Sequence, residues 1–189
     1  FTMDDDLFSF ASDEPAVEPE NVLPPWRVLI VDDEEEVHNI TRIALKRFEF
    51  SGRPIELSSA YSAREAKTIL ADDPGVALIL LDVVMETDDA GLKLTRHIRD
   101  ELENRLVRII LRTGQPGNAP ERDVIVDYDI NDYKSKTELT STKLFTTVTA
   151  ALRSYRDILR IEDSREGLSK IIDATVSIFQ INKLHSFLK

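Results

Sequence analysis

Short apolar runs alternate with segments of helical periodicity from residue 26 onward. The apolar runs are RVLIV (27–31), IELSSA (55–60), VALILL (76–81), VRIIL (107–111) and INDY (130–133). The segments between them that repeat apolar residues at helical spacing are 35–49, 62–72, 90–103 and, more weakly, 120–128. Alternating strands and helices require crossover connections and predict a parallel sheet covered on both faces.

Five such units fit a doubly wound α/β fold of the flavodoxin-like type, a five-stranded parallel sheet with strand order 2-1-3-4-5. The first and third runs are almost wholly apolar, as expected of central strands buried on both faces. In this fold, ligands bind beyond the carboxyl ends of strands one and three, where the strand order reverses. The sequence therefore directs attention to the residues that follow those two strands.

The two ends of the chain differ from this pattern. Residues 1–25 contain no Lys or Arg and many acids, a composition that predicts a flexible acidic leader. After residue 137, a long helix is predicted, and Gly167 is a candidate break between two helices. The domains expected are the leader at 1–25, a globular domain at 26–155, and a signalling helix or the start of another domain at 156–189.

The apolar residues of the predicted helix recur at a spacing near 3.5. The first half carries Leu144, Val148, Ala151, Tyr155 and Ile158, and the second carries Leu168, Ile172, Thr175 and Phe179. A stripe of that length favours a homodimer through this helix. The alternative is that the second half packs against the chain's own domain.

Composition narrows the chemistry. The chain has no cysteine, and its three histidines lie too far apart in sequence to form a local metal motif. A net charge of −11 argues against direct nucleic-acid binding. No apolar run approaches the length of a membrane span, and no secretory signal is present, so we expect no membrane insertion and a cytoplasmic location.

Carboxylates follow the two strands that meet at the switch point. Asp32 and Asp33 come directly after strand one, and Asp82 ends strand three. Three converging carboxylates repel one another, so a bound cation or a raised pKa is required. Oxygen-only ligands favour Mg²⁺, with Mn²⁺ as an alternative.

The last two strands add a hydroxyl and an ammonium group. The fourth strand ends in LRTGQ, which brings Thr113 to the same edge, and the fifth leads into DYKSKTEL, which brings a lysine. Such a set suits a phosphoryl group, and Asp82 is the candidate nucleophile. Each signal also has an ordinary explanation, because Asp-Asp before a helix is often only a cap. The prediction depends on all four strand ends together.

These residues resemble the receiver domain of two-component response regulators. The phrases that carry the resemblance are VLIVDDEEEVH, LILLDVVM with Gly91, ILRTGQ and NDYKSKTEL. The resemblance implies that Asp82 is the phosphoacceptor, and that Asp32, Asp33 and the backbone carbonyl of Val84 complete the Mg²⁺ site. It also makes Thr113 the phosphoryl-contacting hydroxyl and Tyr133 the aromatic switch residue, and it selects Lys136 over Lys134. In the family, phosphorylation alters the face formed by the fourth helix, fifth strand and fifth helix.

The sequence departs from the family at two places. Thr137 follows the lysine where the family usually has proline, so we expect a trans peptide or an altered loop there. The segment between Asp82 and Gly91 is one residue longer than usual, and Glu86 stands where proline is typical. The added negative charge predicts slow self-phosphorylation from small donors.

A narrower resemblance concerns the output. The phrases LDVVMETDDAGL, RIILRTGQPG and YDINDYKSKTELT resemble receivers in front of HD-GYP cyclic-di-GMP phosphodiesterases, whose catalytic motifs are absent from this chain. Its partners would then be a histidine kinase or phosphotransfer protein and an output domain. This makes the chain a switch rather than a conventional enzyme. The alternatives are a docking module that is not phosphorylated and a Mg²⁺-dependent phosphatase, which would require an acid at the position of Val84.

Overall fold

The computed structural model describes residues 23–114, 125–126, 128, 130–136 and 141–187, with side chains of the last helix described as far as residue 175. Residues 1–22, where the leader is predicted, lie outside this part of the chain. So do Thr137 and most of the weak helix predicted at 120–128. What the sequence analysis says of those residues therefore remains a prediction.

The sheet contains the five predicted parallel strands. They are β1 (Trp26–Val31), β3 (Arg53–Ala60), β4 (Leu78–Asp82), β5 (Arg108–Thr113) and β6 (Asp132–Ser135). The sheet order is β2-β3-β1-β4-β5-β6, which contains the predicted 2-1-3-4-5 order of parallel strands. The strand count differs by one, because β2 (Glu49–Phe50) pairs antiparallel with β3 at the edge. The prediction extended the first helix as far as Glu49, the first of these two residues.

Four helices surround the sheet in the described part of the chain. They are α1 (Glu35–Leu45), α2 (Ala63–Asp72), α3 (Ala90–Arg96), which continues as a π-helix (His97–Glu101), and the C-terminal helix (Ser141–Phe187). The first helix is four residues shorter than predicted, because the chain turns after Leu45 to enter β2. Buried apolar side chains form one cluster on each face of the sheet. One cluster contains Leu94 and Ile98 from α3, and the other contains Leu144, Val148 and Leu152 from the C-terminal helix.

The C-terminal helix packs on the domain with its first half only. Leu144, Val148 and Tyr155 are buried against the sheet, as the apolar spacing predicted. Beyond Leu159 the helix projects away, and Leu168 and Ile172 are 60% and 54% exposed. The helix is continuous through Gly167, so the predicted break there is wrong. A single glycine costs only about 1 kcal/mol in a helix, and the flanking residues are good helix formers.

Within the part of the chain that the structure describes, none of the helices combines the length and the hydropathy that a membrane span requires.

Candidate functional site

The strand ends place four carboxylates in one cluster. Strands β1 and β4 pair in parallel, so Asp32 and Asp33 after β1 lie beside Asp82 at the end of β4. The cluster consists of one carboxylate oxygen from each of four residues, and these oxygens lie within 4.8 Å of one another: Asp32, Asp33, Glu34 and Asp82. Asp32 and Asp82 are buried, whereas Asp33 and Glu34 are exposed at the rim. The arrangement is a partly open acidic pocket that solvent reaches from one side.

Asp82 is buried but only partly engaged. Its side chain is 4% exposed, and its Oδ2 lies 2.8 Å from Nζ of Lys136. Its Oδ1 is buried and has no hydrogen-bond partner among the described residues. Burial raises the pKa of Asp82, and the nearby charge of Asp32 adds to this, while Lys136 opposes it. The backbone N–H of Val84 also acts on this carboxylate and lowers its pKa, but burial prevails, and Oδ1 has no well-formed hydrogen bond among the described residues.

Lys136 is the cation that the acidic cluster shares. Its Nζ lies 2.7 Å from Glu34 Oε1, 2.8 Å from Asp82 Oδ2 and 3.3 Å from Asp32 Oδ2. Burial alone lowers the pKa of Lys136, but its hydrogen bonds to Asp82 and Glu34 outweigh burial and raise the pKa above its usual range. The same contact lowers the pKa of Glu34. Lys134, the other lysine considered, pairs with Asp132 at 3.1 Å instead.

Both oxygens of Asp32 are already occupied. Oδ1 accepts a hydrogen bond from the backbone N–H of Glu34 at 3.1 Å, and Oδ2 lies 3.3 Å from Nη2 of Arg112. Its backbone carbonyl accepts a hydrogen bond from Nε2 of His38 at 2.7 Å. Nδ1 of His38 lies 2.7 Å from the hydroxyl of Ser59 on β3. These contacts fix the turn that presents Asp33 and Glu34.

Thr113 and Tyr133 lie on neighbouring strands beside this pocket. Thr113 ends β5, one residue beyond Arg112, which is the register partner of Asp82. Its side chain is buried. Tyr133 on β6 is also buried and belongs to the core cluster under α3. The two residues therefore occupy adjacent strands on the α3 side of the sheet.

The loop after Asp82 approaches other backbone closely. The N–H of Gly91 donates to the carbonyl of Val83 at 3.0 Å, and a methyl group at Gly91 would overlap the backbone of Asp82. Val84 lies half-buried in this loop. Glu86, which stands in place of the usual proline, accepts a hydrogen bond from the N–H of Ala63 at 2.9 Å. This loop thereby supports the first turn of α2.

Three residues at the site were missed from the sequence: Glu34, Arg112 and His38. Glu34 belongs to a run of acids in which nothing distinguishes it from its neighbours. Arg112 lies near the end of β5, where a charge usually reaches solvent, so its inward direction was not signalled. The three histidines were set aside because of their spacing in sequence, yet His38 is buried against the backbone of Asp32.

A match to a family model agrees with the class of protein that the fold and the acidic site indicate. The response regulator receiver domain matches residues 28–149, so the chain belongs to the response regulator receiver family. Residues 148–189 match a second family, a domain of unknown function named DUF3369. The two matched segments meet inside the C-terminal helix.

One curated relative extends the comparison beyond the receiver. The 3'3'-cGAMP-specific phosphodiesterase 2 of Vibrio cholerae serotype O1 is 50% identical over 186 residues, which are 96% of this chain and 36% of the relative. The chain thus spans about a third of that protein's length. The predicted resemblance to the receivers of such phosphodiesterases is confirmed by this relative.

Solved structures confirm the fold. The signal receiver domain of an HD domain-containing protein from Pseudomonas fluorescens Pf-5 is 23% identical, with a TM-score of 0.60 over 70% of this chain and 98% of that one. An adenylate cyclase structure from Rhodopirellula baltica is 16% identical, with a TM-score of 0.65 over 75% of this chain and 98% of that one. The predicted flavodoxin-like architecture with an extended C-terminal helix is therefore confirmed.

Proposed function

We propose that this receiver is phosphorylated on Asp82 by a histidine kinase or phosphotransfer protein, with Mg²⁺, and relays the change to an output domain. The observation that carries the proposal is the half-engaged carboxylate of Asp82. One oxygen is held by Lys136, and the other is buried with no hydrogen-bond partner among the described residues. A buried oxygen without a partner is costly, which is consistent with a ligand or reaction partner being supplied.

The residues present fit a divalent cation. Four carboxylates within 4.8 Å form a hard oxygen donor set, which suits Mg²⁺ or Mn²⁺. Asp32, Asp33 and Asp82, with the carbonyl of Val84, would hold the ion, and Glu34 stands beside them. When bound, Mg²⁺ offsets the charge of the phosphoryl oxygens and of the carboxylates.

The protein's own groups account for the rest of the chemistry. An oxygen of Asp82 attacks phosphorus, the phosphorus–nitrogen bond of the donor phosphohistidine breaks, and the donor imidazole leaves with the electron pair. Lys136 is placed to pair with a phosphoryl oxygen, since its ammonium already lies 2.8 Å from Asp82. Thr113 would donate its hydroxyl to another oxygen. Attack of water later returns the carboxylate and releases phosphate.

The relay would use the residues next to the site. Thr113 and Tyr133 lie on adjacent strands, so a shift of the threonine towards a phosphoryl group frees space for the ring. The C-terminal helix then carries the change outward. By comparison with the relative, the output of the whole protein would be hydrolysis of a cyclic dinucleotide, cyclic-di-GMP or 3'3'-cGAMP, in the cytoplasm.

Two other functions are less well supported. A docking module that is not phosphorylated has no use for a buried carboxylate with a free oxygen. A Mg²⁺-dependent phosphatase would require a general acid two residues after the nucleophile, and that position is Val84. Phosphoacceptor chemistry needs only the groups that are present.

Intact mass spectrometry tests the proposal. The chain is incubated with Mg²⁺ and either acetyl phosphate or phosphoramidate, and beryllofluoride binding is followed by ¹⁹F NMR. We expect a gain of one phosphoryl group that requires Mg²⁺ and is lost in Asp82→Asn. Asp72→Asn, a change of an exposed aspartate at the end of α2, is the matched control and should behave like the wild type. If neither donor nor beryllofluoride modifies the wild type, the docking function replaces this proposal.

We also propose that the projecting half of the C-terminal helix forms a parallel homodimer. Ile161, Leu168, Ile171 and Ile172 are each more than half exposed, at intervals that match one side of a coiled coil. The helix of 47 residues is about 70 Å long, so much of it extends past the sheet. We expect light scattering to give a dimer that Leu168→Glu with Ile172→Glu converts to a monomer. Lys170→Glu should leave the dimer intact, and a monomeric wild type would contradict this proposal.

A further inference from the structure

Arg112 is a buried cation at the inner side of the acidic pocket. Its side chain is 4% exposed, its Nη2 lies 3.3 Å from Asp32 Oδ2, and its Nη1 donates to the hydroxyl of Thr41 at 3.1 Å. Its Nε has no hydrogen-bond partner among the described residues. Burial lowers the pKa of Arg112, although the charge of Asp32 opposes this. A guanidinium at this depth is expensive and requires a compensating partner.

Arg112 offsets part of the negative charge of the pocket. Four carboxylates face two cations, Arg112 and Lys136, which leaves a formal charge of −2. One divalent cation would neutralise that remaining charge. Without Arg112, the same pocket would carry −3 and Asp32 would keep only Lys136 as a charged partner. The arginine therefore reduces repulsion in the metal-free state and competes with the metal for Asp32.

We infer that Arg112 is a positioning residue that holds Asp32 in the metal-free protein and sets the metal affinity of the pocket at a low value. The inference rests on the proposed function, since it assumes that the pocket binds a divalent ion. Arg112 contacts Asp32 and Thr41 directly, and its charge also acts on Asp82 at longer range. The result is an exchangeable ion at a site that stays folded between binding events.

The test measures Mn²⁺ binding directly, by electron paramagnetic resonance titration of the free ion, without any phosphoryl donor. Arg112→Gln removes the charge and keeps a hydrogen-bonding side chain. Arg112→Lys keeps the charge and is the matched control. Thr41→Val removes the other hydrogen-bond partner of the guanidinium and keeps its charge. Thermal melts in EDTA accompany each titration and report on folding of the metal-free state.

We expect Arg112→Gln to bind Mn²⁺ about tenfold more tightly, because a unit charge a few ångströms from a divalent ion is only partly screened inside a protein. Its melting temperature in EDTA should fall. Arg112→Lys and Thr41→Val should stay within about threefold of the wild-type affinity. Unchanged or weaker binding in Arg112→Gln would overturn the inference while leaving the phosphoacceptor intact. A wild type that binds no Mn²⁺ would overturn the metal site itself.

Discussion

Replacing Gly91 with alanine tests whether the backbone of the loop after Asp82 is as tightly enclosed as the structure indicates. An added methyl carbon would lie 2.9 Å from the carbonyl carbon of Asp82 and 2.9 Å from Cα of Val83, and closer still to the Asp82 carbonyl oxygen. Carbon atoms in contact prefer about 3.5–4.0 Å, so α3 must move by at least about 0.6 Å. Neither obstacle is a flexible side chain. The movement also strains the hydrogen bond from Gly91 to Val83.

The expected cost is about 2–4 kcal/mol of unfolding free energy. Overpacking contributes about 1–3 kcal/mol, and the weakened hydrogen bond about 1 kcal/mol. For a chain of this size, the melting temperature should fall by about 5–15 °C. Urea denaturation measures the free energy, with the slope checked for two-state behaviour. Because the overlap involves Asp82 itself, phosphorylation should slow as well.

Two other glycines provide controls: alanine should increase the unfolding free energy at one of them and lower it only slightly at the other. A methyl group at Gly167 meets nothing within 4 Å, so Gly167→Ala should stabilise the exposed helix by about 0.5–1 kcal/mol. A methyl group at Gly75 meets only the guanidinium end of Arg27, which can move aside at the expense of a partly exposed ion pair with Asp73. Gly75→Ala should therefore cost less than about 1 kcal/mol. Equal effects at Gly91 and Gly75 would refute the reasoning.

Substitutions at three residues test the charges of the site. Burial raises the pKa of Asp82, so its charged form is disfavoured in the folded state. Asp82→Asn should therefore raise the melting temperature in EDTA and abolish stabilisation by Mg²⁺. A lower melting temperature in EDTA would contradict this prediction. Lys136→Gln should lower the unfolding free energy by about 1–3 kcal/mol in urea, since it leaves Asp82 and Glu34 without their cation; an unchanged midpoint would contradict it. Glu86→Gln should speed phosphorylation by acetyl phosphate, followed by intact mass, at unchanged stability, and equal rates would contradict the effect of charge. Glu86→Pro should also lose the hydrogen bond from the N–H of Ala63 in the first turn of α2, about 0.5–1.5 kcal/mol.

The sheet was predictable because its signal is redundant. Apart from the exposed Arg27, the residues of β1 and β4 are buried on both faces, so nearly every position in these runs points to the same conclusion. The convergence of Asp32, Asp33 and Asp82 then follows from strand order alone. β2 was not predictable, because two residues carry no periodicity. The π-helical end of α3 was missed for a similar reason, since one wide turn does not alter an apolar pattern.

The charged partners of the site were harder to predict, because they depend on the three-dimensional arrangement. Glu34 differs from the two glutamates after it only by its contact with Lys136, which lies 102 positions away. Arg112 sits at the end of a strand, where a charge usually reaches solvent. Its inward direction depends on Asp32 and Thr41, which belong to other elements. Local sequence specifies such residues poorly, although their chemistry is decisive.

The placement of Arg112 bears on how a signal crosses the sheet. Successive side chains of a strand point to opposite faces, so Thr113 faces the cluster under α3 and Arg112 faces α1. Tyr133 belongs to the first cluster, while the first half of the C-terminal helix belongs to the second. A displacement of Thr113 alone would act on the face away from that helix. Because Arg112 and Thr113 are consecutive at the end of β5, we expect a displacement of Thr113 to move Arg112 as well, and so to affect both faces of the sheet.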